Sequence, residues 1–155
     1  MTRSLFTRLP TKFMQDPLDR NAYFYFLDIS TRWMDNDIYG HVNNVTYYSY
    51  FDTIANQYLI ERGDLDIQNA EVVGFVVASN CQYLAPIAHP EKIDLGFRVN
   101  TLGSKSVEYG IAIFKAGESI ASAHGSFTHV FVNRASGKSV AIPESIRQAL
   151  ELAII

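Results

Sequence analysis

The spacing of apolar residues along this chain changes twice. The aromatic-rich stretch NAYFYFLDISTRW (21–33) predicts a first strand. Over residues 45–62 apolar residues recur every three to four positions, which predicts a long amphipathic helix. Asn43 and Asn44 are candidate N-caps, and Gly63 suits the position that follows the last turn. The predicted apolar face holds Val45, Tyr48, Phe51, Ala55, Tyr58 and Leu59, with Tyr47 and Ile54 at its margins.

After this helix the apolar residues alternate with polar ones. Residues 71–86 are apolar over enough length to predict a strand that is buried on both faces. Three further alternating stretches, at 92–99, 107–113 and 121–132, are separated by short polar turns. A short helix is expected over residues 143–153.

This order of elements predicts an α+β fold. One strand, a long helix and four strands can bury the apolar helix face only by packing it on an antiparallel sheet. We expect a single domain over residues 1–155, with an N-terminal arm at 1–20 and the C-terminal helix at 143–153. Since the helix covers only one sheet face, a homodimer or homotetramer with a shared sheet is expected.

Composition and charge narrow the class of protein. Hydrophobic residues make up 48% and charged residues 19%, which is typical of a globular protein and not of a disordered chain. A net charge of −3 gives no electrostatic reason to expect nucleic-acid binding. Cys81 is alone, so no intrachain disulfide forms. Residues 1–20 contain no continuous apolar segment, so neither a signal peptide nor a membrane span is expected, and the cytoplasm is the expected location.

A polar stretch, MDNDIYGHVNN (34–44), directly precedes the long helix. The first N–H groups of a helix lack intrahelical partners and carry the positive end of the dipole, so they can hold an anion or a developing oxyanion. Asp35, Asp37 and His41 place titratable groups beside that helix end, and Gly40 permits a tight turn. Residue types alone leave two interpretations open: turn and capping residues, or the groups that hydrolyse an ester or thioester.

A family resemblance bears on this choice. WMDNDIYGHVNNVTYYSYFD (33–52) resembles the hotdog-fold acyl-CoA thioesterases of the 4-hydroxybenzoyl-CoA thioesterase type, which have an acid shortly before Gly-His-Val-Asn-Asn and then an aromatic helix. The order of elements agrees over about residues 20–145. The resemblance implies a sheet wrapped around one central helix. It also implies hydrolysis of an acyl-CoA thioester, with no cofactor beyond the CoA of the substrate.

The resemblance also implies roles for individual residues. The catalytic acid of the family falls on Asp37, and Asp35 holds a secondary acidic position. The backbone N–H near Asn44 matches the group that polarises the thioester carbonyl, while His41 and Asn43 match the element that shapes the turn and pocket.

Two other groups of enzymes with this fold arrange their catalytic residues differently. Plant-type acyl-ACP thioesterases carry an Asn two residues after the acid, where this chain has Tyr39. Other branches place the acid on the long helix, where Asp52 is a reserve candidate. Asp37 would act as a nucleophile or as a general base. A free Asp, with a pKa of about 3.9, is ionised at neutral pH, which favours the nucleophile.

Substrate and ligand contacts are also predicted. Tyr47, with Tyr48, Phe51 and Phe75, is a candidate for lining an apolar acyl slot. The turn residues Lys105, Arg134 and Lys138 are candidates for contacting the CoA phosphates. No metal site is expected, because His124 and His129 point to opposite faces of one strand and Cys81 lies elsewhere.

Two alternative functions remain open from the sequence. A hotdog enoyl-CoA hydratase or dehydratase would pair an acid with a histidine, and Asp37 and His41 are four positions apart. A non-catalytic acyl-CoA-binding module would use the same pocket without forming product.

Overall fold

A computed structural model describes residues 15–155 of the chain. The first fourteen residues of the predicted N-terminal arm lie outside that range. A five-stranded sheet and two helices follow: β1 (Tyr25–Ser30), α1 (Thr46–Gly63), β2 (Val72–Tyr83), β3 (Lys92–Leu102), β4 (Ser106–Lys115), β5 (Ala123–Asn133) and α2 (Glu144–Leu152). Two short 3₁₀ turns, Arg20–Ala22 and Trp33–Asp35, flank β1. The predicted α+β architecture is confirmed.

All strands pair antiparallel in the order β1-β3-β4-β5-β2. The first strand in sequence is therefore one edge of the sheet, and β2, which follows α1, is the other. Tyr83 at the end of β2 pairs with Ala123 at the start of β5, and Val72 pairs with Asn133 at the opposite end. This register places the end of β2 and the start of α1 at the same end of the molecule, since the Tyr83 hydroxyl donates to the Asn44 carbonyl at 3.0 Å.

Helix α1 packs on one face of the sheet through its aromatic residues. Tyr58 is fully buried, and its ring stacks on that of Phe97 in β3 with 4.5 Å between centroids. Burying one such side chain stabilises the fold by roughly 1.5–3 kcal/mol. No helix within residues 15–155 is both long and apolar enough to cross a membrane. The helix residues that are buried are Tyr47, Tyr50, Phe51, Ile54, Ala55, Tyr58, Leu59 and Gly63.

Two details of the predicted helix are wrong. Val45 is exposed and Tyr48 only half-buried, so the apolar face is rotated toward Tyr47 and Tyr50, which pack beneath the chain segment that enters the helix. The left-handed residue after the last turn is Asp64, with φ 56°, and Gly63 still belongs to the helix. Gly63 is small for a packing reason, because a Cβ there would lie 3.2 Å from Ile146 of α2.

Strand β2 was predicted to be buried on both faces, and this is wrong for the chain by itself. As an edge strand it has a sheet neighbour on one side only, and most of its residues are exposed. Phe75, Val76 and Val77 are each about half exposed. A long apolar edge of this kind offers unpaired backbone groups to another strand.

Residues 15–23 cover the part of the second sheet face that lies over β3 and β4. Arg98, buried in β3, donates to the carbonyls of Gln15 and Ala22 at 3.3 Å each. The ring of Tyr23 lies over Gly96, where an added Cβ would approach the ring to 2.9 Å. The described part of the arm is therefore fixed to the sheet by buried hydrogen bonds and a close glycine contact.

Candidate active site

The segment that carries Asp37 forms a tight turn just before α1. The Asp37 N–H donates to the His41 carbonyl at 2.9 Å, and the Gly40 N–H donates back to the Asp37 carbonyl at 3.1 Å. Gly40 adopts φ 85°, which L-residues with a Cβ rarely adopt. Within the turn, one Asp37 carboxylate oxygen accepts the Tyr39 N–H at 2.8 Å. Among residues 15–155, the second oxygen has no hydrogen-bond donor.

Asp35 has a different environment from Asp37. Its carboxylate is 1% exposed and accepts hydrogen bonds from the Arg32 backbone N–H at 2.9 Å and from the Tyr50 hydroxyl at 2.7 Å. It also forms an ion pair of 2.9 Å with the Arg32 guanidinium. Burial alone would raise the pKa of Asp35, but these bonds to Arg32 and Tyr50 hold that pKa below its usual value. Asp35 is therefore a fixed, fully partnered anchor for the loop.

The chain enters α1 through the two asparagines. The side-chain oxygen of Asn43 accepts the Val45 N–H at 3.1 Å, and its carbonyl accepts the Thr46 N–H at 2.9 Å. The prediction that Asn43 or Asn44 is the N-cap is wrong, because Val45 holds that position and makes no side-chain capping bond. Asn44 is exposed, and its backbone N–H has no acceptor among the described residues. A free N–H at the positive end of the helix dipole suits an anionic or polarised oxygen.

A groove of about 270 Å³ lies beside this helix start. His41, Val42, Asn44 and Tyr47 line one wall, and Tyr83 with residues 84–86 lines the other. The rings of Tyr47 and Tyr83 meet edge to face with 4.9 Å between centroids. Burial raises the pKa of Tyr47 to about 12, so its hydroxyl stays protonated at neutral pH. The groove thus combines mainly apolar walls with the exposed backbone at the start of α1.

The loop before β3 forms hydrogen bonds with the segment that carries Asp37. The Val42 N–H donates to the Ile87 carbonyl at 2.7 Å, and the His89 N–H donates to the side-chain oxygen of Asn36 at 3.0 Å. The His89 ring nitrogen Nδ1 lies 2.9 Å from the Thr31 carbonyl. These contacts fix both ends of the segment that carries Asp37.

The structure brings together most of the predicted site residues. His41, Asn44 and Tyr47 line the groove, and Asn43 shapes the adjoining helix start. Asp37 does not line the groove itself; it lies across the tight turn from His41. Asp52 lies on the exposed side of α1, where its carboxylate accepts a hydrogen bond from Asn56 at 3.1 Å.

The predicted phosphate contacts lie at the other end of the sheet. The Lys105 carbonyl accepts the Phe131 N–H and the Lys138 carbonyl accepts the Asn133 N–H, so both lysines flank the end of β5. The Arg134 guanidinium donates to the carbonyls of residues 67 and 68 at 2.7 and 3.1 Å. With 18 residues, α1 is about 27 Å long, and these cations lie near its C-terminal end.

Sequence reasoning missed Tyr83, Tyr50 and the segment 84–86. Tyr83 is 39 residues from its partner Asn44, and no local pattern connects two such positions. Tyr50 lies 15 residues from Asp35, and nothing in the sequence indicates that its hydroxyl contacts that carboxylate. Within residues 15–155, no three His, Cys, Asp or Glu side chains are grouped to hold a metal ion. His124 and His129 do point to opposite faces, since His129 is buried toward α1 and His124 is half-buried on the other side.

Comparison with known proteins gives the family. A model of the thioesterase-like superfamily matches residues 31–150. The PA5185 protein from Pseudomonas aeruginosa strain PAO1 is 56% identical; its crystal structure superposes with a TM-score of 0.87 over 88% of this chain and 96% of that one.

More distant relatives agree in fold. The 1,4-dihydroxy-2-naphthoyl-CoA thioesterase Slr0204 from Synechocystis is 15% identical, with a TM-score of 0.74 over 81% of this chain and 94% of that one. The YsmA protein of Bacillus subtilis (strain 168) is 24% identical over 134 residues, which are 84% of this chain and 88% of YsmA. Because the superfamily model matches most of the residues, the chain belongs to the thioesterase-like superfamily and is a thioester hydrolase with the hotdog fold.

Proposed function

We propose that the protein hydrolyses an acyl-CoA thioester to a carboxylic acid and free CoA at the start of α1, with Asp37 as the reacting group. The observation that supports this most is the shared turn: the Asp37 N–H donates to the His41 carbonyl, and His41 lines the groove with Asn44. The name of Slr0204, a thioesterase for an aryl-CoA, agrees with this substrate class.

The chemistry follows from what each group can do. The free carboxylate oxygen of Asp37 attacks the thioester carbon, and the carbonyl oxygen becomes an oxyanion. The Asn44 N–H at the helix start donates to that oxyanion, an interaction that in comparable sites contributes about 2.7–4 kcal/mol. The C–S bond breaks, CoA leaves as the thiolate, and water cleaves the mixed anhydride at Asp37. In the general-base route Asp37 instead takes a proton from the attacking water.

The exposed edge of β2 supports a homodimer. Two β2 strands pairing antiparallel about a twofold axis would extend the sheet across both copies and bury Phe75, Val76 and Val77. Such an axis exchanges the ends of the strand, so the partner's Val72 would lie beside Tyr83. A tetramer would be two such dimers.

In this dimer, the predicted phosphate contacts of one subunit would lie near the groove of the other subunit. Lys105, Arg134 and Lys138 lie far from the groove of their own chain, at the sheet end where β2 begins. The twofold axis brings that end of the partner to the groove. The cations that hold the CoA phosphates at one site would therefore come from the other subunit, and the guanidinium of Arg134 would contribute charge while it holds residues 67 and 68.

A panel assay tests the proposed function. Purified protein is incubated with short, long and aromatic acyl-CoAs while a colorimetric reagent measures free thiol. We expect thiol release from at least one member of the panel. A hydratase would alter an enoyl-CoA without releasing thiol. A binding module would be stabilised against heat by an acyl-CoA and would form no product, and either result would contradict the proposal.

A further inference from the structure

Tyr83 closes the groove on the side of the exposed sheet edge. Its hydroxyl donates to the Asn44 carbonyl at 3.0 Å, so the side chain bridges from the end of β2 to the start of α1. Its ring lies edge to face against Tyr47, 4.9 Å away. The bond joins residues on the two walls of the groove, so it limits how far a bound acyl chain can extend in this direction.

Two half-buried side chains, Cys81 and Tyr48, lie next to Tyr83. Cys81, two residues earlier in β2, points to the same face and is half-buried. Burial, with Cys81 and Tyr48 next to the hydroxyl, raises the pKa of Tyr83, so the hydroxyl remains a donor. Tyr48 is also half-buried against the core. A smaller residue at position 83 would leave Cys81 and Tyr48 as the next side chains at this end of the groove.

The volume of the groove indicates how large an acyl group it can hold. At about 270 Å³, the groove is smaller than the roughly 300–1,000 Å³ of pockets that hold drug-sized ligands. A volume of this size suits a short acyl chain or one aromatic ring with its carbonyl.

We propose that Tyr83 is a specificity-determining residue whose ring ends the acyl groove, while its hydrogen bond to the Asn44 carbonyl fixes the start of α1 beside that groove. The inference rests on the proposed function, since the groove is taken to hold the acyl part of the substrate. The inference predicts that the Tyr83 side chain restricts the protein to short acyl or aryl groups. A smaller residue at position 83 should admit longer acyl groups.

Two substitutions separate the ring from the hydroxyl. Tyr83→Ala removes both the ring and the hydroxyl. We expect the ratio of kcat/KM for long over short acyl-CoAs to rise by at least about tenfold, because one additional methylene bound in an apolar pocket changes kcat/KM by about that factor. Tyr83→Phe keeps the ring and should leave this ratio within about twofold of the wild-type value. It should lower kcat/KM for every substrate by about two- to tenfold, because the hydrogen bond to Asn44 is lost.

The controls distinguish failure of this inference from failure of the proposed function. Leu152→Ala, at an exposed apolar position in α2, should leave the chain-length ratio unchanged. Tyr83→Leu replaces Tyr83→Ala if the latter does not fold. An unchanged ratio in an active Tyr83→Ala or Tyr83→Leu protein would overturn the inference and leave the proposed function intact.

If the wild-type protein releases no thiol, the same acyl-CoA series is measured by thermal shift. A larger shift for long chains in Tyr83→Ala than in the wild type would still support the limit set by Tyr83. Equal shifts, or no binding by either protein, would overturn it.

Discussion

The hydroxyl of Tyr50 donates a hydrogen bond of 2.7 Å to the buried carboxylate of Asp35. Tyr50 belongs to the first turns of α1, and Asp35 lies two residues before Asp37. The Arg32 backbone and guanidinium complete the partners of the same carboxylate. This buried contact attaches the loop that carries Asp37 to α1. The groove lies beside the start of that helix.

Tyr50→Phe removes only this hydroxyl. We expect the free energy of unfolding to fall by about 1–3 kcal/mol, because a buried carboxylate loses one donor. The pKa of Asp35 lies below its usual value, so the stabilisation is full above about pH 3.9 and is lost as the pH falls through the lowered pKa. Urea unfolding at pH 7 and at successively lower pH measures this.

The control for that substitution is Tyr39→Phe, whose hydroxyl is on an exposed side chain. It should change the free energy of unfolding by less than about 0.5 kcal/mol. Equal effects of the two substitutions would show that the bond between Tyr50 and Asp35 adds nothing to stability.

His129 predicts a second pH effect on stability. It is 1% exposed, its Nδ1 lies 3.1 Å from the Tyr109 hydroxyl, and burial lowers its pKa from 6.5 to about 4. The unfolded chain therefore binds a proton that the folded chain does not over this range. Stability should fall by about 3 kcal/mol as the pH falls from about 6.5 to about 4.

Thermal unfolding of the wild type and of His129→Gln across this pH range measures the effect. The variant should be less stable at pH 7 but should lose less stability on acidification, because it has no imidazole to protonate. A pH dependence that is the same in both proteins would contradict the role assigned to His129.

The exposed edge of β2 predicts how the oligomer is disrupted. The wild-type protein should sediment at twice the 17.5 kDa chain mass or at a multiple of it. Val77→Lys places a charge on the exposed edge strand and should give monomers. Ile120→Lys, at an exposed position in the turn between β4 and β5, should leave the oligomer intact. A monomeric wild type, or an oligomeric Val77→Lys protein, would contradict the proposed interface.

A mixed dimer tests whether each site uses both subunits. One subunit carries Asp37→Asn and the other carries Lys138→Glu, with different affinity tags. If the phosphate contacts come from the partner, one of the two sites has both native residues, and the mixed dimer should have about half of the wild-type activity at low substrate. If each chain serves its own site, the activity should stay near half of that of the Lys138→Glu homodimer.

Much of the fold could be predicted because it depends on local periodicity. The spacing over 45–62 predicted α1, and alternation predicted β3, β4 and β5 close to their observed bounds. The burial of β2 was mispredicted because an apolar strand at an edge has the same sequence pattern as one in the centre of a sheet. Only the strand order, which depends on long-range pairing, separates the two cases.

The site was predictable only in part. The short motif over 33–44 placed Asp37, His41, Asn43 and Asn44 near one helix end, and the structure confirms that they are neighbours. Their chemical roles remain proposals. The opposite wall of the groove comes from residues 83–86, and its relation to the helix start depends on sheet register, which no short motif records.

The most direct measurement compares Asp37→Asn with the wild type on one acyl-CoA that the wild type hydrolyses. Loss of the reacting carboxylate should lower kcat at least about 10³-fold, while the Kd of a non-hydrolysable acyl-CoA analogue stays within about threefold, because Asp37 does not line the groove. Asp52→Asn, on the exposed side of α1, should keep wild-type turnover. Near-normal turnover by a folded Asp37→Asn protein would contradict the account.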